Sequence, residues 1–426
     1  MPANRRTFLK TSAATVASGT LLAGAPAVHA GGSESLKVGL IGCGGRGTGA
    51  ASQAVKAGPG ITLTAMGDLF ADRLESSKAT LKGELGERFQ VKPEHCFVGF
   101  DAYLGVINSG VDLVCLATPP HFRPLHLEAA VAAGKHVFCE KPMAVDAPGA
   151  RRVLAAAAQA KQKRLGLVAG FCWRYHDAVR EAMQRVHDGA IGDIVAMQCT
   201  YNTGFLWHHP RKPEWSDMEW QCRNWLYFTW LSGDHNVEQH IHSLDKMAWA
   251  MKDVYPLNAV GTGGRQVRTD PAFGHIFDHH AVVYEFPGAV RCYSFCRQQN
   301  GTHRDVSDLL MGTKGQCLIN GSSGACEIRG AHPWKYDPKK LRSLNMYQQE
   351  HDELVASIRR GEPINDGEWM TRSTMMGILG RMATYTGQFL TWDQAWNSRE
   401  DLTPPKYEFG PLPTPPVAMP GQTRFS

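Results

Sequence analysis

No stretch of about 18 or more strongly apolar residues occurs in this 426-residue chain, which excludes a multi-span membrane protein and argues against stable membrane insertion. Charge of one sign is scarce as well: 45 Lys+Arg stand against 40 Asp+Glu. Arg5, Arg6 and Lys10 carry much of that excess, within a first thirty residues that hold no acid. The remainder is close to neutral, so there is no electrostatic case for nucleic acid as a partner. Paired cysteines are missing too. The eleven cysteines are an odd number without a CxxC, and Cys292/Cys296 has no second pair at zinc-finger spacing. Several, such as Cys115 and Cys139, sit inside apolar strand-like runs and read as small buried hydrophobes. No internal repeat is evident. What remains is ordinary globular composition, 43% hydrophobic and 20% charged, long enough for two domains.

The first thirty residues read as an export signal. Asn4-Arg5-Arg6-Thr7-Phe8-Leu9-Lys10 fits the twin-arginine pattern, Thr11–Leu22 is a mild apolar stretch, and Val28-His29-Ala30 offers small residues for cleavage. The expected location is therefore periplasmic, or otherwise outside the cytosol by the twin-arginine route. That route carries folded cargo, which is consistent with a cofactor already bound. A protein folded in the reducing cytosol has no need of disulfides.

Beyond the signal, short apolar runs alternate with helical patterns. Leu36–Ile41, Ile61–Met66, Val114–Ala117, His136–Cys139 and Leu165–Gly170 read as strands, with helices over Pro124–Ala133 and Gly149–Lys163. Strands separated by helices of this length imply a parallel sheet with right-handed crossovers. The first strand runs into Gly42-Cys43-Gly44-Gly45-Arg46-Gly47 and then a helix. In such a GxGxxG turn, backbone amides and the helix N-terminus can hold a pyrophosphate. Gly42 permits the tight turn, Gly44 the close approach of phosphate, and Gly47 the packing of helix on strand. Asp68 ends the second strand, where a carboxylate can accept both ribose hydroxyls and repel a 2′-phosphate. NAD is the expected cofactor, with Arg46 and Arg73 leaving NADP open.

From about Cys172 the texture changes. Arg174 to Gly189 looks helical, and Ile194–Tyr201, Ala281–Phe286, Val290–Phe295, Asp308–Met311 and Gln316–Ile319 alternate like strands. This period suits a mostly antiparallel sheet covered on one face. Helices over Gln348–Arg360 and Ser373–Gln388 follow. Residues 403–426 carry seven prolines and read as an extended tail, either lying across a neighbouring subunit or loose. The expected organisation is a signal over 1–30, a nucleotide domain over 31–172, a substrate and oligomerisation domain over 173–398, and the tail over 399–426.

Two stretches of the second half stand out. Nine aromatics, five of them tryptophans, lie between Tyr201 and Trp230. They suit an aromatic subcore or oligomer contact, or a sugar site in which flat apolar faces stand beside Arg211, Arg223, His208 and His209. Gly233–Asp245 follows, with Glu238 and His242 at helical i,i+4 spacing, Asp245 on the same face and His240 opposite. A carboxylate beside an imidazole can fix its tautomer for taking a hydroxyl proton. Two other readings stay open here: a hydrogen-bonded packing helix, and a metal site formed by His235, Glu238 and His242.

Thr118-Pro119-Pro120-His121 follows one strand, and Gly134-Lys135-His136-Val137-Phe138-Cys139-Glu140-Lys141-Pro142 runs another into an EKP tripeptide. With the glycine turn, Asp68 and the Glu238…His242 pair, these resemble the Gfo/Idh/MocA oxidoreductase superfamily over residues 36–395. Gly192-Asp193-Ile194 and Gly312-Thr313-Lys314-Gly315 resemble recurring pieces of its second domain. The resemblance implies an α/β fold. A Rossmann domain would be followed by an α/β domain whose large, mostly antiparallel open sheet often forms the interface of a homodimer or homotetramer. It also implies NAD(P), tightly bound in an exported protein, and a sugar, cyclitol or related polyol as substrate.

By the same resemblance Gly42, Gly44, Gly45, Arg46, Gly47, Asp68, Thr118, Pro119, His121, Glu140 and Lys141 meet the cofactor. Lys141 would stabilise the developing alkoxide, His242 would take the hydroxyl proton, and Glu238 would orient His242. Glu238 stands where many members have Asp, and His240 where glycine is common. Arg174, Trp207, Arg223 and Trp225 are the expected substrate contacts, and no metal is expected. The alternative reaction on the same fold is glycoside cleavage by transient oxidation and elimination, with NAD recycled in place. A non-catalytic sugar-binding protein on the same scaffold is the third reading, against which Lys141, His242 and Glu238 speak.

Overall fold

The computed structural model describes residues 35–340 and 345–426, so the expected signal over 1–30 lies outside the described residues. The first half is built from β1 (Leu36–Ile41), α1 (Gly45–Lys56), β2 (Ile61–Asp68), α2 (Ala71–Leu85), β3 (Cys96–Val98), α3 (Ala102–Asn108), β4 (Leu113–Leu116), α4 (Arg123–Ala132), β5 (His136–Cys139), α5 (Ala147–Gln162) and β6 (Leu167–Ala169). All six strands are parallel, in the order β3-β2-β1-β4-β5-β6. Val38, Leu40, Leu113, Val114 and Phe138 are fully buried, as expected for strands covered by helices on both faces. The strand order reverses between β1 and β4, and a crevice opens there at their carboxyl ends.

The second half runs through α6 (Asp177–His187), β7 (Ile194–Thr203), α7 (Asp217–Arg223), α8 (Thr229–Ser232), α9 (His235–Glu238), α10 (Ile241–Ala250), β8 (Asn258–Gly264), β9 (His279–Phe286), β10 (Val290–Gln298), β11 (Asp305–Gly312), β12 (Gly315–Asn320), β13 (Cys326–Gly330) and β14 (Trp334–Lys335). It closes with α11 (Met346–Arg359), α12 (Gly367–Thr386), β15 (Leu390–Thr391) and α13 (Trp392–Trp396). Nine strands form one sheet in the order β14-β13-β12-β11-β7-β10-β9-β8-β15, parallel at β7/β10 and antiparallel at the other pairs. The α/β fold read from the sequence is the fold observed.

The alternation in β10 buries Val290, Cys292 and Cys296 and exposes Tyr293 and Phe295, so one sheet face meets helices and the other is open. Ten of the eleven cysteines are buried and all are free. The two halves are bridged by α12, which is buried nearly all round. It packs against α5 of the nucleotide sheet's helical layer and against β8 and β9 of the second sheet. Gly380 is needed there, since a Cβ would stand 2.0 Å from the Tyr284 hydroxyl. The Pro-rich segment 399–426 forms no helix or strand, but it is bound to its own chain. Leu402 N–H donates to Asp146, Leu412 N–H to Asp217, and Gly421 N–H to the Thr386 carbonyl.

Several histidines are buried in this frame, and burial drives their pKa values down: His121 to about 4, His126 to about 3, His235 to about 4 and His275 to about 4. Below the ordinary value of about 6.5 the unfolded chain binds protons that the folded chain refuses, so stability falls with falling pH. The buried carboxyls that are pushed up, Asp366 to about 6 and Glu350 well above its ordinary value, act in the opposite sense and offset part of this loss. The denaturant midpoint should therefore drop steeply between pH 7 and pH 5, at up to about 1.4 kcal/mol per imidazole per pH unit. A flat midpoint over that range would show that these imidazoles protonate within the fold.

Candidate active site

The glycine turn after β1 does what its spacing predicts. Gly42 has φ +98, and a Cβ there would lie 2.6 Å from both Ala117 C and Thr118 N. A Cβ on Gly47 would stand 1.9 Å from the Gly42 carbonyl oxygen. Among the described residues, a Cβ on Gly44 would meet only Arg73 within 4 Å, and one on Gly45 would meet nothing. The start of α1 has no side-chain cap and no acid in its first turn. Its leading amides are therefore left for an anion, and glycine keeps the approach clear. Asp68 accepts hydrogen bonds from Cys43 N–H (2.6 Å) and Phe70 N–H (2.8 Å), and burial raises its pKa. Its carboxylate thus locks the turn while facing the cleft.

That cleft encloses about 720 Å³, part of it open to solvent. Gly42, Gly44, Asp68, Arg73, Thr118 and Pro119 line it, with Phe70, Phe100, Tyr103, Phe122 and His126 as an aromatic wall and Cys222 and Trp225 from the second half. The mix of amides, carboxylate and aromatic faces fits a dinucleotide. Arg46 is withdrawn from it. Its guanidinium bonds Glu140 at 2.5 Å and Glu350 at 3.3 Å, and lies over Tyr347. Arg73 stays in the cleft wall. His121 stands outside the lining, with Nε2 2.8 Å from the Tyr407 hydroxyl.

Lys141 leaves the end of β5 just after Glu140, whose carboxylate accepts its backbone N–H at 3.1 Å. Its ammonium donates to Glu238 Oε1 at 2.8 Å and to the Glu238 carbonyl at 2.6 Å, with both side chains mostly buried. Glu238 is therefore the partner of Lys141 and not of His242. The helix expected through Gly233–Asp245 breaks: α9 ends at Glu238 and α10 starts at Ile241, because His240 is drawn inward to Ser294 (2.7 Å) and Cys199. Among the described residues, His242 Nδ1 is buried without a hydrogen-bond partner. Burial, with the charges of Lys141 and Lys246, holds its pKa well below the usual range, so it is a neutral imidazole at neutral pH.

Other expected contacts are engaged elsewhere. Arg174 is not free for substrate. It makes a bidentate pair with Asp245 (2.9 Å), reaches Asp253 (2.6 Å) and lies 3.8 Å over the Trp369 ring. Arg223 bonds Asp72 and Glu219 and stacks on Phe70 at 3.9 Å, tying α7 to α2 at the cleft rim. Trp225 lines the cleft, while Trp207 stands exposed beside it with ring centroids 6.2 Å apart. Trp220 and Trp230 are buried in an aromatic subcore with Tyr227 and Phe228.

His235, Glu238 and His242 do not converge on one point. Among the described residues the group with metal-ligand geometry is Asp234, His235 and His280, all buried. Asp234 there already accepts from Phe277 N–H and the Tyr385 hydroxyl, and its φ of +74 fixes the start of α9. Of this cluster the sequence offered His235 as a metal ligand, with other partners; no signal marked Glu350 and Tyr347 over Arg46, which come from a distant segment. Tyr201 was missed as well. Burial and the Glu238 charge push its hydroxyl up to about 12.

Residues 36–167 match the Gfo/Idh/MocA family model, described as an oxidoreductase family with an NAD-binding Rossmann fold. Inositol 2-dehydrogenase 3 of Saccharopolyspora erythraea is 28% identical over 344 residues, 79% of this chain and 88% of that protein. The 2,7-anhydro-N-acetylneuraminate hydratase of Escherichia coli is 27% identical over 51% of this chain, which spans about half (54%) of its length. The crystal structure of an aldose-aldose oxidoreductase from Caulobacter crescentus with glycerol has a TM-score of 0.66 at 21% identity, covering 84% of this chain and 99% of its own, and shares the fold.

The turn geometry separates two glycine substitutions. Gly44→Ala should fold normally and lose NADH affinity by about tenfold or more, since its Cβ enters only the phosphate space. Gly47→Ala should lower the thermal midpoint through its clash with Gly42. NADH fluorescence titration and thermal unfolding check the pair, and a Gly44→Ala variant binding normally would refute the phosphate placement.

Proposed function

We propose that this chain, whose residues 36–167 carry the NAD-binding domain of a Gfo/Idh/MocA oxidoreductase, moves a hydride to or from a hydroxyl-bearing carbon of a sugar, cyclitol or related polyol. The observation that carries this reading is the Lys141–Glu238 pair beside a neutral, unpartnered His242, at the carboxyl end of the nucleotide sheet. The nicotinamide, when bound, supplies the hydride acceptor or donor. Lys141 is a donor already held in place, and its ammonium suits an oxygen that gains negative charge. The uncharged His242 can take a hydroxyl proton, and Nδ1 has no competing partner to give up. Glu238 orients Lys141 through carboxylate and carbonyl together, a role different from the one its helical spacing suggested. The named substrates of the relatives, an inositol and an anhydro sugar acid, are polyhydroxylated rings and support this class.

Glycoside cleavage by transient oxidation and elimination is the second reading. The Tyr201 hydroxyl, which feels the Glu238 charge, and the Glu238 carboxylate on Lys141 offer a further acid and base beyond His242. The same proposal covers location and assembly. The twin-arginine pattern would take the folded chain out of the cytosol with its cofactor tightly held. Exposed Val195, Val260, Tyr293 and Phe295 on the open sheet suit a homodimer or homotetramer contact.

Lys141→Ala should lower turnover of an active polyol or aldose by about a thousandfold, far more than it weakens NADH binding. A spectrophotometric screen of polyols, aldoses and chromogenic glycosides, with and without added NAD⁺, checks this. Glycoside cleavage without added NAD⁺ would select the elimination reading. Lys141→Ala turning over at the unaltered rate would refute both.

A further inference from the structure

Arg223 is one tie across the dinucleotide cleft, and the Pro-rich segment supplies a second. After the Leu402–Asp146 bond, the chain crosses the outside of the cleft's aromatic wall. The Tyr407 hydroxyl meets His121, and its ring lies 5.8 Å from both Phe100 and Phe122. Phe409 stacks on Phe70 with centroids 5.9 Å apart and planes within 6°, and stands 5.5 Å from Phe100. The backbone then changes sides. Met218 N–H donates to the Gly410 carbonyl (3.2 Å), Leu412 N–H to Asp217 (3.1 Å), and Gln221 to the Leu412 carbonyl (2.6 Å). Those three partners belong to α7, and the chain from its last turn to Trp225 supplies Cys222 and Trp225 to the cleft.

Phe70, Phe100 and Phe122 form one wall of the cleft, and Cys222 and Trp225 stand on the other half of the molecule. A single six-residue run grips both. We propose that residues 407–412 are a clasp on the nucleotide cleft, so that a bound dinucleotide leaves only after this belt and the Arg223–Asp72 tie release α7. This inference rests on the nucleotide reading of the cleft and adds to it a determinant of how long the cofactor stays. Pro411 within the run, with Pro405 and Pro413 flanking it, stiffens it and lowers the entropy lost on closing. Tyr407 and Phe409 remain 37% and 47% exposed. Rings so exposed add modestly to global stability, whereas their grip acts directly on the wall that must move.

The test uses the full chain loaded with NADH and chased with excess NAD⁺, following nicotinamide fluorescence in a stopped-flow mixer. The double variant Tyr407→Ala/Phe409→Ala should release NADH about tenfold faster, and Phe409→Tyr, which keeps the stack, should release it at the unaltered rate. Thermal unfolding without nucleotide monitors the fold, and Phe409→Ala alone, at the more exposed position, takes over if the double variant does not fold. There a several-fold faster release is expected. An unchanged release rate in a folded variant would overturn the clasp alone. Failure of the unaltered chain to bind NADH would overturn the nucleotide reading and the clasp with it.

Discussion

The ion pair between Lys141 and Glu238 is the constraint around which the two halves are arranged. Lys141 comes from the end of β5 in the parallel sheet, and Glu238 from the last residue of α9 in the second half. The ammonium uses the carboxylate and the backbone carbonyl of the same residue. A carbonyl at the end of a helix is free to accept because no further turn follows to use it. The break between α9 and α10 is thus a requirement of the pair. It also frees His242 from the carboxylate that an unbroken helix would have set beside it.

The pair in turn depends on how α9 is held. Asp234 starts this short helix from a left-handed conformation that an aspartate adopts only at a cost of about 1–3 kcal/mol. It is kept there by Phe277 N–H next to β9, by the Tyr385 hydroxyl of α12, and by His235 and His280. From the other side, His240 is bonded to Ser294 of β10. Both sides of the break are therefore fixed by the second sheet and α12, and not by helix propensity. Since α12 also packs on α5, the same rod that fixes Glu238 fixes the layer behind Lys141.

This explains what could be read along the chain and what could not. The glycine turn, Asp68 and the strand running into Glu140–Lys141 were legible because their geometry is local: a tight turn, a helix start, a strand end. The pairing of Glu238 was not. An i,i+4 spacing presumes an unbroken helix, and the break comes from a residue 54 positions away. Arg174 looked available until folding brought Asp245 and Asp253 to it. β8 escaped because Gly261, Gly263 and Gly264 blur its alternation, and β14 and β15 because they are two-residue strands. α2 buries only Leu74, Ser77, Leu81 and Leu85, a thin stripe in a charged segment.

The arginines near the glycine turn bear on which dinucleotide the cleft takes. Arg46 follows the glycine turn, within reach of a phosphate by its position in the chain, yet Glu140 and Glu350 take its guanidinium. Glu350 is buried, and burial together with Glu140 pushes its carboxyl well up, so the second acid costs little in charge there. Asp68 keeps two backbone donors and retains acceptor capacity toward the cleft. With Arg46 removed, the ribose end of the cleft presents this carboxylate with Arg73 at its side. A carboxylate rewards a pair of hydroxyls and penalises a 2′-phosphate, so the balance of these two charged groups favours NAD over NADP.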